Sequence, residues 1–296
     1  MNCPFDLSLL TDDSDSRLTS IRVKIAGFCK SDIDIGKANS LGFPKKTIDY
    51  WLKGKQPVPY SVLKKPESIF ERIEYVGFRA SKTKLSLPKF DEKFFYLLGV
   101  IYGDGHVSGH IRKKGNRSFR IAIEKGRSHY SEFFLPMIIN EVFGIKPKLY
   151  FRKRVGEMVA VTIWSKTISR ILTNVCGFAS GKKSDSVIDF IEKQSKNLQT
   201  SFATGLLDTD GGKCWDSFAF CSSSEKTAQF VKKAIENKGI FTKSYFQQYG
   251  KYSWHQVLIL AKNKSKFLDE FQLKNERKYA GGQTRTADNG RMKPGI

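Results

Sequence analysis

The sequence is short of acid. Its 296 residues hold 51 Lys and Arg against 29 Asp and Glu, a net charge of +22. Four of the acids, Asp6, Asp12, Asp13 and Asp15, fall in the first 20 residues beside one base, Arg17, so the rest carries 50 bases against 25 acids. Such a surface attracts polyanions, and each phosphate it neutralises releases condensed counterions. Nucleic acid is therefore the leading partner; a basic surface kept only for solubility is the bland alternative. Cysteine is scarce too. Cys3, Cys29, Cys176, Cys214 and Cys221 are odd in number and none is in C-x-x-C spacing, which argues against a disulfide framework or zinc knuckle and for reduced, mostly buried thiols. His106 and His110 lack cysteine partners, a further argument against zinc. Long apolar runs are missing, as is a clear amphipathic anchor, so no membrane partner is expected. The acidic, polar start lacks the basic-then-apolar order of a secretory signal. A cytoplasmic location, or whichever compartment holds the target DNA, is the expectation.

What is present suffices for a core: 40% hydrophobic and 13% aromatic residues. Residues 1–20 read as a loose Asp/Ser-rich lead, and about 21–65 as helical and basic. Pro66 and the Lys/Ser-rich stretch up to Pro88 read as a linker. From there the chain repeats itself. Each unit opens on an apolar helix ending in Asp-Gly: Phe94 to Gly105, and Phe202 to Gly212. The two Asp-Gly pairs lie 106 residues apart. Alternating strands follow (Phe119, Ile121 and Ile123; Phe218 and Phe220), then amphipathic helices (Glu132–Phe143, Glu225–Lys238). Next come strands at Lys148–Arg152, Met158–Trp164, Lys243–Gln247 and Ser253–Ala261, and closing helices at Ser165–Leu172 and Asn263–Phe271. The pattern predicts an α+β fold of two pseudo-symmetric αββαββα repeats with an N-terminal helical unit, helices on one sheet face and the other free. The expected divisions are 1–85, 90–190, 191–279 and a tail at 280–296.

The Asp-Gly helices carry the chemistry. Gly99 and Gly103 are four apart and share one helix face, and Gly205 and Thr209 hold the same places in the second copy. Glycine inside a helix costs about 1 kcal/mol against alanine. Small residues at this spacing allow another backbone to approach, and the natural partner is the other copy. Face-to-face packing would bring Asp104 and Asp210 together at the helix C-termini. That placement is electrostatically poor, because the macrodipole is negative there and the carboxylates repel. Something positive must compensate, and a few oxygen ligands near phosphate suit Mg²⁺. A single such helix is ordinarily a core helix with a glycine cap; two copies on so basic a chain point to a metal-dependent phosphodiesterase.

The motifs Leu97-Leu-Gly-Val-Ile-Tyr-Gly-Asp-Gly105 and Ala203-Thr-Gly-Leu-Leu-Asp-Thr-Asp-Gly211 resemble the paired signatures of the LAGLIDADG homing endonucleases, over about residues 90–275. The resemblance implies a single-chain, pseudo-twofold enzyme, expected to be a monomer, that cuts a long double-stranded DNA site and leaves short 3′ overhangs. It implies Mg²⁺ bound by Asp104 and Asp210, and a saddle of strands in the major groove. One departure is Tyr102, where the pattern often has the acid that Asp208 keeps; the family does not use that position as a metal ligand. No Cys, Ser or Thr begins the chain and no Asn ends it, so an intron-borne or free-standing gene is expected rather than a self-splicing intein.

Basic and polar residues around such a site would organise water and phosphate. The candidates are Lys213, three residues beyond Asp210, then Lys182 and Lys183 in Gly181-Lys-Lys-Ser184, and Glu124. Each has a plain surface reading as well, strongest for Glu124 at a sheet edge. DNA contacts are expected from Arg112, Lys113, Lys114, Arg117, Arg120, Lys125 and Arg127, and from Lys146, Lys148, Arg152, Lys153 and Arg154. In the second repeat Gln247 and Gln248 could read adenine. Residues 34–54 resemble a helix-turn-helix with Lys45 and Lys46 at the start of its second helix; a purely structural hairpin is the equal alternative. Two rivals to the endonuclease remain at this point: an RNA-binding maturase that helps its intron RNA splice, and a regulator that binds DNA without cutting it.

Overall fold

The computed structural model describes residues 21–64, 72–78, 85–111, 117–152, 157–181 and 183–279. The acidic lead, the tail and several candidate residues (Arg112, Lys113, Lys114, Lys153, Arg154 and Lys182) lie outside the described residues.

Not all of residues 21–65 is helical. Ile21, Val23 and Ile25 are β-branched and alternate with Arg22 and Lys24, and they form strand β1 (Ile21–Ile25). It sits between β2 (Val58–Pro59) and β3 (Ile73–Phe78), antiparallel to both. Beside this small sheet lie α1 (Ile35–Ser40) and α2 (Lys45–Leu52). The Asp34 carboxylate starts α1 by accepting from the Lys37 amide at 2.9 Å. Gly42, at φ +70°, makes the turn to α2. Ile48 and Trp51 face inward, and Phe43 meets the Trp51 ring edge-on at 4.9 Å.

The two repeats follow in the order helix, two strands, helix, two strands, helix. The first holds α3 (Glu92–Asp104), β4 (Gly105–Ile111), β5 (Arg117–Gly126), α4 (Leu135–Phe143, led in by a wide turn from Tyr130), β6 (Lys148–Arg152), β7 (Met158–Trp164) and α5 (Lys166–Arg170, continued by a wide turn to Val175). A short helix that the apolar pattern did not announce, α6 (Ser186–Glu192), joins it to the second. There α7 (Lys196–Asp210), β8 (Gly211–Cys214), β9 (Ser217–Ser222), α8 (Glu225–Glu236), β10 (Thr242–Tyr249), β11 (Tyr252–Ile259), α9 (Lys264–Phe271) and α10 (Glu276–Tyr279) complete the described chain. The sheets run β4-β5-β7-β6 and β10-β11-β9-β8, antiparallel throughout. Their inner faces supply core side chains such as Ile121, Ile123, Phe218 and Phe220. Four cysteines are described, and all are free thiols. Among the described residues no helix is long and apolar enough to cross a membrane.

Helices α3 and α7 pack together through their small residues. A methyl built on Gly99 would lie 2.1 Å from the Phe202 carbonyl oxygen, and one on Gly205 would lie 2.2 Å from that of Tyr96. The two glycine Cα atoms are therefore in van der Waals contact range of each other's backbone. At Gly103 the obstacle is the Thr209 side chain, 1.9 Å from such a methyl. The Thr209 hydroxyl itself is turned inward and donates to the Leu206 carbonyl at 2.8 Å. These contacts cannot relax by a rotamer change, since the opposing atoms at Gly99 and Gly205 are backbone.

Alanine at Gly99 or Gly205 is expected to destabilise the protein by about 3 kcal/mol, at the upper end for overpacking. Urea unfolding of each variant measures this. A loss below about 1 kcal/mol would mean that the helices separate easily, contrary to the packing described.

Candidate active site and nucleic-acid face

Asp104 and Asp210 are the last residues of α3 and α7, and each chain passes directly into a strand, β4 or β8. Both side chains are about one-quarter exposed, at 26% and 24%. Two carboxylates beside two helix C-termini concentrate negative charge, and three ammonium groups answer it. Lys125, from β5, forms an ion pair with Asp104 Oδ2 and donates to the Thr209 carbonyl at 3.2 Å. Lys183 lies 3.2 Å from Asp210 Oδ2, with its Nζ 5.8 Å above the Tyr102 ring. Lys278, from α10, donates to the carbonyls of Thr209 and of Gly211, the latter at 2.8 Å.

The protonation balance follows from burial. Desolvation pushes the Asp104 carboxyl above its ordinary value; the Lys125 charge opposes this, and the charge of Asp210 adds to it. Burial likewise lowers Lys278 to about 8, helped by the like charge of Lys125 and resisted by Asp104 and Asp210. Among the described residues no group of three or more His, Cys, Asp or Glu is placed so that it could hold a metal ion by itself. The donor set is thus two partly exposed carboxylates, each with one oxygen held by a lysine. That fits Mg²⁺, which keeps several waters and takes its remaining oxygens from phosphate.

Of the residues expected from the sequence, Asp104, Asp210 and Lys183 lie together, and two further lysines, Lys125 and Lys278, stand with them. Lys125 stood among the DNA-reading bases, yet strand alternation puts it on the same side as Ile121 and Ile123, toward the helices. Lys278 was not singled out. Its signal was positional: it follows the closing helix of the second repeat as Lys183 follows that of the first. Lys213 is exposed on β8 and makes no ion pair among the described residues. Glu124 does not join the aspartates. It points to the other sheet face, where the Arg152 guanidinium binds it at 2.8 Å.

That other face carries much of the remaining polar chemistry. On the first sheet Arg120 lies over the Trp164 ring at 5.9 Å, and Lys148, Tyr150 and Arg152 are exposed along the outer strand β6. Arg117 begins β5. Arg127 is not free for this face: its Nε donates to Glu132 at 2.7 Å and its guanidinium covers the Phe151 ring. On the second sheet the Gln247 amide donates to Gln256 at 3.2 Å. Gln248 alternates to the opposite face, so the two glutamines do not act side by side. Lys45 and Lys46 are exposed at the start of α2, with Lys46 5.9 Å from the Tyr50 ring.

No family model and no curated protein matches the chain. Solved structures do. Mesophilic variants of the homing endonuclease I-DmoI align at 19% identity with a TM-score of 0.50, covering 62% of this chain and 96% of theirs. I-DmoI in complex with DNA and Mn aligns at 17% identity and 0.50, covering 62% and 97%. An I-DmoI variant bound to its target DNA in the presence of Mg gives 16% and 0.50 over the same shares. The chain has the α+β fold of the LAGLIDADG homing endonucleases.

The lowered Lys278 value predicts a pH signature. An unfolded lysine titrates near 10.4, so between pH 8 and about 10 the unfolded chain binds more protons than the folded one, and stability rises with pH. Lys278 contributes up to roughly 1 kcal/mol per pH unit there. Urea unfolding of the metal-free protein should show wild type gaining on Lys278→Gln across that window. A difference that stays flat from pH 8 to 10 would contradict the assignment.

Proposed function

We propose that the protein is a site-specific double-strand DNA endonuclease, a homing endonuclease that uses Mg²⁺ held by Asp104 and Asp210 and leaves short 3′ overhangs. The observation that carries this is the pair of helix-terminal carboxylates, brought together by glycine contacts and surrounded by three ammonium groups on a chain of charge +22. The solved I-DmoI structures with DNA and with Mn or Mg support it.

Asp104 and Asp210 would hold the metal through their carboxylate oxygens. When bound, Mg²⁺ would supply the Lewis acidity that activates water and stabilises the leaving oxygen in phosphodiester hydrolysis. The chain's own groups do the rest. Lys125, Lys183 and Lys278 offset the crowded carboxylates and present positive charge where a phosphate would sit. Arg120 and Lys148 lie on the free face of one sheet and Gln247 on that of the other, available to phosphates and base edges, while Arg152 on the first face is held by Glu124. The exposed Lys45 and Lys46 on α2 would extend the contacted DNA. Since both aspartates come from one chain, a monomer completes the site.

The test is cleavage of a DNA library spanning candidate insertion sites, with Mg²⁺ or with EDTA. One double-strand cut that needs Mg²⁺ is expected. Asp104→Asn or Asp210→Asn should lower its rate at least on the order of a hundredfold, the scale of several kcal/mol of transition-state stabilisation. Tight nucleic-acid binding without any cut would overturn the endonuclease, in favour of an RNA maturase if intron RNA is bound and of a regulator if DNA is.

A further inference from the structure

Asp208 lies two residues before Asp210, fully buried, and its first-repeat counterpart, two residues before Asp104, is Tyr102. A buried carboxylate is costly unless its lone pairs are filled. Here they are filled from three directions. The Tyr96 hydroxyl donates at 2.7 Å, the Lys274 amide at 3.0 and 3.1 Å to the two oxygens, and the Asn275 amide at 3.0 Å. In return the Asn275 side-chain amide donates to the Asp208 carbonyl at 2.8 Å. The segment so held begins at Gln272, a non-glycine residue at φ +42° that ends α9. Left-handed backbone at such a residue persists where its surroundings impose it.

Beyond the clamp the segment covers the end of α7. The last carbonyls of a helix have no partners within it. Around the end of α7, residues 275–279 supply donors: Tyr279 Oη to the Leu207 carbonyl, which also accepts from the Gly211 amide, Asn275 to Asp208, and Lys278 to Thr209, which also accepts from Lys125, and to Gly211 at the start of β8. The Lys278 ammonium is thereby fixed against the helix end, on the carbonyls of the two residues that flank Asp210.

We infer that Asp208 is a positioning residue for the active centre: it clamps residues 274–275 so that Lys278 stands beside the two aspartates. This rests on the endonuclease reading for its effect on cutting, but not for the clamp itself. Among the described residues the first repeat has no buried carboxylate at the matching position, which is Tyr102. There Tyr102 gives its hydroxyl to a hydrogen bond with Thr227 at 3.1 Å and its ring to Lys183. The two halves of the centre therefore place their lysines by different means.

The experiment uses the full chain and the variants Asp208→Asn, Lys278→Gln, their combination, and Asn275→Ala, which removes one clamp bond and keeps the carboxylate. Amide hydrogen exchange reads the clamp. In Asp208→Asn, residues 272–279 should exchange at least tenfold faster while residues 92–104 stay protected; Asn275→Ala should show the same in weaker form, and decides the matter if Asp208→Asn does not fold. Cleavage reads the consequence. Asp208→Asn should lower kcat with DNA affinity unchanged, and the double variant should be no slower than Lys278→Gln. Unchanged protection of 272–279 in the folded variants overturns the clamp. Losses that multiply in the double variant overturn positioning through Lys278. If the wild type cuts no DNA, the endonuclease reading fails, and the exchange result still decides the clamp.

Discussion

Backbone-to-backbone contact between α3 and α7 sets everything else in place. At Gly99 and Gly205 there is no side chain on either helix, and a single methyl on either would strike a carbonyl oxygen. Helices this close deliver their last residues to one place. The two carboxylates, the terminal carbonyls and the two sheet entries are consequences of that approach. It also creates the electrostatic difficulty that the rest of the centre resolves.

The resolution is distributed over distant parts of the chain. Lys125 comes from a strand of the first sheet, Lys183 from the connection after α5, and Lys278 from the short helix after α9. Each also serves the backbone or an aromatic ring. Thr209 shows the sharing most clearly: its carbonyl accepts from both Lys125 and Lys278. Ammonium groups that bond to a helix C-terminus complement its dipole as well as the nearby carboxylates, so one set of charges stabilises the fold and conditions the site.

Local pattern made much of this readable. The alternation of Ile121 and Ile123, or of Phe218 and Phe220, marks strands because burial on one face imposes period two. The duplicated Asp-Gly helices mark the site because glycine at four-residue spacing has few other uses inside an apolar helix. What stayed hidden depends on contacts distant in sequence. Lys278 meets carbonyls nearly seventy residues earlier, and nothing near it says so. Glu124 and Lys125 are neighbours with opposite fates: the alternation of Ile121 and Ile123 tells which one turns toward the helices, but not that it meets Asp104 and the Thr209 carbonyl there. The N-terminal strand β1 was missed because its two bases suggested a basic helix, although its β-branched residues alternate.

Asp104 and Asp210 each stand at a junction with no loop: a helix ends at the carboxylate and a strand begins at the next residue. A loop would absorb movement, and here there is none. The helices are locked to each other by unyielding backbone contact, so each sheet is a lever whose fulcrum is an aspartate. The contact that sets the two carboxylates therefore also sets the points from which the two sheets begin.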